Sequence, residues 1–131
     1  MSDRTANAVP GLPAAPAFLS SAIISNGFVF ASGQIPMTPE GVLVKGTMTE
    51  RLNQCIDNLA KVLKAHGSGV EHIVKTNIFV TSYEHFDEMN KAYTARMPTP
   101  APARSCIGVA VLPRGTDIEI ECVAAVPKAK L

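Results

Sequence analysis

Aromatic side chains are scarce in this chain: tryptophan is absent, and phenylalanine and tyrosine make up 5% of its 131 residues. Proteins that grip single strands of nucleic acid stack bases on such rings and line the phosphates with a stripe of Lys and Arg. Here the formal net charge is +1 and the basic residues are scattered, so nucleic acid is not the expected partner. Long apolar runs are missing too. None approaches the roughly 20 residues of a membrane-spanning helix, and the N-terminus lacks the apolar centre of a secretory leader, so neither a membrane nor that export route is expected. Cys55, Cys106 and Cys122 are too odd a set to pair within one chain and form no C-x-x-C, which fits free thiols in a reducing compartment. His66, His72 and His85 show no ligand spacing with one another or with cysteine, so no metal is expected. Gly67-Ser68-Gly69 is not followed by the Lys-Ser/Thr of a phosphate loop and reads as a helix stop.

What the chain does have is regular patterning. Its length and 47% hydrophobic content suit one domain that buries about two thirds of its unfolded surface. Residues 1–16, rich in Ala and Pro, are expected to be an extended arm, residues 17–127 the domain, and residues 128–131 a tail. Ala17 to Ile24 reads as a first strand, turned by Asn26-Gly27 into a second, Phe28 to Gln34. Gly33 in that strand marks either a bulge or a close approach by a ligand or another backbone. Thr47-Met48-Thr49-Glu50 matches a capping box, and Leu52, Cys55, Ile56, Leu59 and Leu63 follow at helical spacing up to Gly67. Ile73 to Thr81 reads as a strand with Val74, Thr76, Ile78 and Val80 on one face. A second helix is expected from Ser82, with Phe86, Met89, Asn90 and Tyr93 on one stripe. Asn90 is polar within that stripe and needs a partner, most simply a backbone group. Met97 to Pro102, too rich in proline for helix, leads extended into two last strands. The order gives an α+β fold, a mixed sheet with both helices on one face.

Chemistry concentrates on those last strands. Arg104 opens an apolar run, Ser105 to Leu112, so its guanidinium leaves a rigid ladder and suits bidentate capture of a carboxylate. Cys106, Gly108 and Ala110 share its face and are small enough for a ligand to lie against the backbone. Cys106 itself reads as packing in preference to a nucleophile, with no His near it in sequence. Glu119 and Glu121 stand among Ile118, Ile120 and Cys122, where a half-buried carboxylate can act as general base. If Pro113 to Asp117 turns a hairpin, Leu112 faces Ile118 and Glu119 faces Val111. Arg104 then lies seven residues away, roughly 23 Å along the strand. A site using both residues would need a neighbouring subunit to complete it.

Pro102-Ala103-Arg104-Ser105-Cys106, Leu112-Pro113 and Ile118-Glu119-Ile120-Glu121 resemble the C-terminal signature of the RidA family of reactive intermediate deaminases, the YjgF type. Ala31-Ser32-Gly33-Gln34-Ile35-Pro36 and Ile73 to Val80 are similar to further family segments, so the resemblance runs from about Phe18 to Ala125. It implies a chorismate-mutase-like fold assembled as a homotrimer with ligand clefts between subunits. The implied reaction is hydrolysis of enamines and imines of the 2-aminoacrylate type to 2-keto acids and ammonia, without cofactor or metal. The resemblance assigns the substrate carboxylate to Arg104 and the hydrolytic water to Glu119. It places Ser32, Gly33, Asn90 and Cys106 along the substrate. Two positions depart from the pattern: Phe18-Leu19 stands where relatives carry a Tyr near the water, and Gly108 where many carry Glu. A non-catalytic ligand-binding or chaperone-like trimer, which would tolerate loss of Glu119, and an endoribonuclease are the alternative readings. The last residues, Ala129-Lys130-Leu131, resemble a peroxisomal address, set against a default expectation of cytoplasm.

Overall fold

A computed structural model describes residues 3–128, so the C-terminal tripeptide lies outside the described residues. Five strands form one mixed sheet in the order β1-β2-β5-β3-β4. The elements are β1 (Ala22–Ser25), β2 (Phe28–Gln34), α1 (Met48–Ala65), β3 (Ile73–Val80), α2 (Phe86–Arg96), β4 (Ala103–Gly108) and β5 (Ile118–Ala125).

The local signals act where they stand. Asn26 and Gly27, at φ 52° and 82°, form the two-residue turn whose twist matches the antiparallel pairing of β1 and β2. β1 is shorter than expected, because Pro16 to Leu19 closes a turn in which the Leu19 N–H bonds the Pro16 carbonyl. Thr47 caps α1 in a full capping box with Glu50. At the other end Gly67, at φ 79°, lets its own N–H and that of Ser68 reach back to Lys64 and Leu63. The N-terminal arm is docked: Thr5 bridges Ile24, Asp3 accepts from Asn26, and the Asn7 N–H donates to Nε2 of buried His66.

Several expectations need correction. The second helix starts at Phe86, four residues later than expected, because the Ser82 hydroxyl accepts from the Glu84 N–H in a tight local turn. Val74 leaves the buried face of β3, at 43% exposed, since the pairing with β5 slips between Ile73 and Lys75. The largest correction concerns the final strands. β4 and β5 do not form a hairpin: β4 runs parallel to β3 at the sheet edge, and β5 lies antiparallel between β2 and β3. Burial explains the choice. Ile118, Ile120, Cys122 and Ala124 are all buried and suit a central strand, whereas β4 has no buried residue and sits at the rim. Ala110 falls outside β4 and so does not share a strand face with Arg104.

Both helices cover one face of the sheet. Leu52, Cys55, Ile56, Leu59, Val62 and Leu63 of α1 and Met89 and Tyr93 of α2 bury the core against Val29, Ile78, Ile118 and Ile120. Fully burying each such aliphatic side chain contributes about 1.5–3 kcal/mol before the entropy cost of ordering it. The opposite face of the sheet carries Phe28, Phe30 and Ile107, between 39% and 49% exposed, beside Glu119 and Glu121.

Candidate active site

Arg104 is level with Thr76 of β3, and paired residues of a parallel ladder point to the same face, so its side chain rises on the helix side. There α2 receives it. Nη2 donates to Asn90 Oδ1 at 2.5 Å, while the guanidinium carbon lies 4.8 Å from the centre of the Tyr93 ring and 5.9 Å from that of Phe86. Tyr93 is fixed in turn by a 2.7 Å bond between its hydroxyl and that of buried Thr76. Asn90 therefore finds its partner in Arg104 and not in the backbone, because the cation stands directly beside its turn of helix. A guanidinium supported in this way presents its remaining N–H donors without paying to order them again when an anion arrives.

Cys106 follows two residues along β4. The Val109 N–H bonds the Val80 carbonyl, which marks the odd-numbered residues as those facing β3. Cys106 thus turns its N–H and carbonyl toward the open edge. Tyr83 takes that carbonyl, its hydroxyl donating at 2.9 Å. Burial pushes the pKa of its thiol up, and the nearby Arg104 and Tyr83 only partly oppose this, which disfavours the nucleophilic thiolate. Cys55 and Cys122 are buried core thiols, the latter pushed up to about 12 by burial first and Glu121 second.

Glu119 stands elsewhere. It alternates with buried Ile118 and Ile120 and so projects from the face turned away from the helices, as does Glu121, whose Oε1 accepts from Asn77. Burial raises the Glu119 pKa, and the charge of Glu121 raises it further. Gly33 marks the expected bulge, and what approaches it closely is the Glu119 side chain instead of another backbone. Ser32 and Gly33 together oppose Glu121 in a bulge, between the pairs Ala31 with Cys122 and Gln34 with Ile120. A Cβ on Gly33 would lie 2.7 Å from the Glu119 carboxyl carbon, so the glycine is what lets this carboxylate fold across β2. The Ser32 hydroxyl donates to the Ser20 carbonyl at 2.6 Å and holds the segment before β1. Leu19 and Pro16 join Ser32 and Gly33 around a cavity of about 190 Å³, while Phe18, 86% exposed, points away from the core.

The fold therefore gathers the candidate residues into two separate clusters. Arg104, Asn90 and Cys106 form one on the helix side of the edge strand, and Glu119, Ser32 and Gly33 form the other on the opposite face. The hairpin distance of 23 Å does not apply. Arg104 and Glu119 are three residues apart in register across two strand spacings, roughly 14 Å between Cα atoms, and point to opposite sides of the sheet. Sequence reasoning missed Tyr83 and the support that Tyr93 and Thr76 give to Arg104. A signal was present: the chain has 2 tyrosines, and both close on the segment around Arg104.

Comparison with known proteins gives the family and the fold. Residues 11–126 match the family model described as Endoribonuclease L-PSP, and the chain belongs to this family, the YjgF/RidA family. The rat protein named 2-iminobutanoate/2-iminopropanoate deaminase is 37% identical over 113 residues, covering 86% of this chain and 82% of that one. Protein MMF1, mitochondrial, from Saccharomyces cerevisiae is 41% identical over 112 residues, covering 86% and 77%. The crystal structure of a yeast protein, YEO7_yeast, superposes with a TM-score of 0.90 at 42% identity, covering 95% of this chain and 99% of that one.

Proposed function

We propose that the protein hydrolyses short-lived 2-imino acids and their enamine tautomers to 2-keto acids and ammonia. The observation that carries this reading is Arg104, an anion seat held by Asn90 and Tyr93 beside an outward backbone N–H at Cys106. The family's deaminase names support it at the level of reaction class. An enamine first takes a proton at C3 to become the imine. With the substrate carboxylate on the guanidinium, Glu119 accepts a proton from water as the oxygen bonds to the imine carbon, and passes that proton to the nitrogen as the C=N double bond becomes single. Glu119 then takes the hydroxyl proton of the carbinolamine and delivers it to the nitrogen, so that a C=O bond forms as the C–N bond breaks and ammonia leaves. A carboxylate whose pKa is raised by burial is a stronger base for this step than an ordinary one.

The two clusters face opposite sides of one sheet, so we assign the complete site to the junction of two copies, with a homotrimer as the assembly. Phe28, Phe30 and Ile107, exposed on the sheet face that also carries Glu119, support burial of that face against another copy. The direct test is release of ammonia and pyruvate from 2-aminoacrylate freshly generated by a dehydratase. Acceleration above the spontaneous rate is expected. Binding of carboxylates without any acceleration would favour the ligand-binding module, and cleavage of RNA without imine turnover would favour the family's other description.

For compartment we retain the cytosol, with Ala129-Lys130-Leu131 as a candidate peroxisomal address. The yeast relative carries a mitochondrial name. A fluorescent reporter bearing the last dozen residues separates these: punctate signal lost on deleting Leu131 supports the address, and diffuse signal excludes it.

A further inference from the structure

We propose that Tyr83 sets the size of side chain the site accepts, acting as a wall across the path that a substrate takes away from Arg104. The inference rests on the imine-hydrolase reading for its substrate class, and on the following geometry for its substance. Tyr83 lies in the turn between β3 and α2, outside every regular element, yet it is fixed at both ends. Its ring stacks on Phe86 with centroids 5.0 Å apart and planes 26° from parallel, and Phe86 in turn borders the Arg104 guanidinium. Its hydroxyl donates to the outward carbonyl of Cys106. The ring therefore bridges from α2 to the edge of β4, two residues beyond the anion seat.

Chemistry fixes the direction in which a ligand leaves Arg104. Tyr93 covers one face of the guanidinium and Asn90 takes one of its N–H groups, so an arriving carboxylate meets the remaining donors and its chain lies along the small residues Cys106 and Gly108. Tyr83 crosses that strip at Cys106, roughly 7 Å from Arg104 along the strand. On this proposal a methyl or ethyl side chain is accepted ahead of the ring and a branched or aromatic one is disfavoured by it. Tyr83 is nevertheless 53% exposed, so truncation opens the strip without removing a core side chain.

The test compares imines generated in solution from alanine and from leucine by an amino acid oxidase. Tyr83→Ala is expected to raise kcat/KM for the leucine-derived imine relative to the alanine-derived one at least tenfold. Tyr83→Phe, which keeps the ring on Phe86 and loses only the tether, is expected to change that ratio less than threefold. A ratio unchanged in Tyr83→Ala, or both imines slowed equally, overturns the proposal. The same wall acts on product-like ligands, so titration with pyruvate against the leucine-derived keto acid decides the matter without turnover. Tyr83→Ala should tighten the larger keto acid selectively, and equal shifts for both refute the wall. Absence of turnover with such selective binding would instead count against the hydrolase reading alone.

Discussion

At the scale of single residues, the account turns on two charged groups in unlike surroundings. Arg104 is supported on three sides and partly buried, and in the proposed reaction it holds the substrate's carboxylate. Charge-assisted hydrogen bonds contribute about 1.5–3 kcal/mol, so Arg104→Ala should lower kcat/KM for imine hydrolysis by at least about tenfold with melting temperature little changed. Arg104→Lys should recover little, because an ammonium offers no planar fork to a carboxylate. Glu119 is the opposite case. Its pKa is raised, by burial first and by Glu121 second, so the folded state binds its proton more tightly than the unfolded chain does. Above that raised value the folded protein carries a strained charge. The strain disappears as pH falls toward the ordinary carboxylate range, where both states hold the proton. Glu119→Gln should therefore raise the melting temperature at neutral pH, with the gain shrinking on acidification, and abolish most turnover. A gain that grew on acidification would reverse the assigned direction of the shift.

At the scale of elements, what could be read in the sequence was whatever is decided locally. The Asn26-Gly27 turn, the Thr47 capping box and the Gly67 stop each depend on residues within a few positions, and each sits where the pattern placed it. Pairing between distant segments is not encoded that way. Glu119 and Arg104 were legible as residue types on strands, but their relative placement depends on β5 inserting between β2 and β3, a choice made by total burial and not by the turn at Pro113. The support of Arg104 by Asn90 and Tyr93 was hidden for the same reason, since it needs α2 docked over β4. The bulge in β2 yields a further expectation. In Gly33→Ala the new methyl group meets the far part of a flexible Glu119 side chain, which swings aside more cheaply than the backbone moves. Turnover should fall several-fold while thermal unfolding shifts little, as kinetics and calorimetry on the same sample would show. Full activity in that variant would mean that the Glu119 position over Gly33 is irrelevant to the reaction.

At the scale of the whole molecule, one sheet separates Arg104 from Glu119, and the proposed site needs a second copy to bring the two together. The residue types of the candidate site were legible in the sequence, whereas the proposal of a partner rests on which face each side chain takes. Light scattering should accordingly report a trimer whose dissociation removes activity. The most direct measurement mixes two inactive chains. Arg104→Ala and Glu119→Gln proteins, denatured together in equal amounts and refolded, are assayed for ammonia release from 2-aminoacrylate. In a closed ring where each site takes Arg104 from one subunit and Glu119 from its neighbour, random mixing makes about a quarter of the sites complete, so about a quarter of wild-type activity should return. If both residues served a site within one chain, no mixed assembly would contain a complete site, and activity would stay at the level of the separate variants.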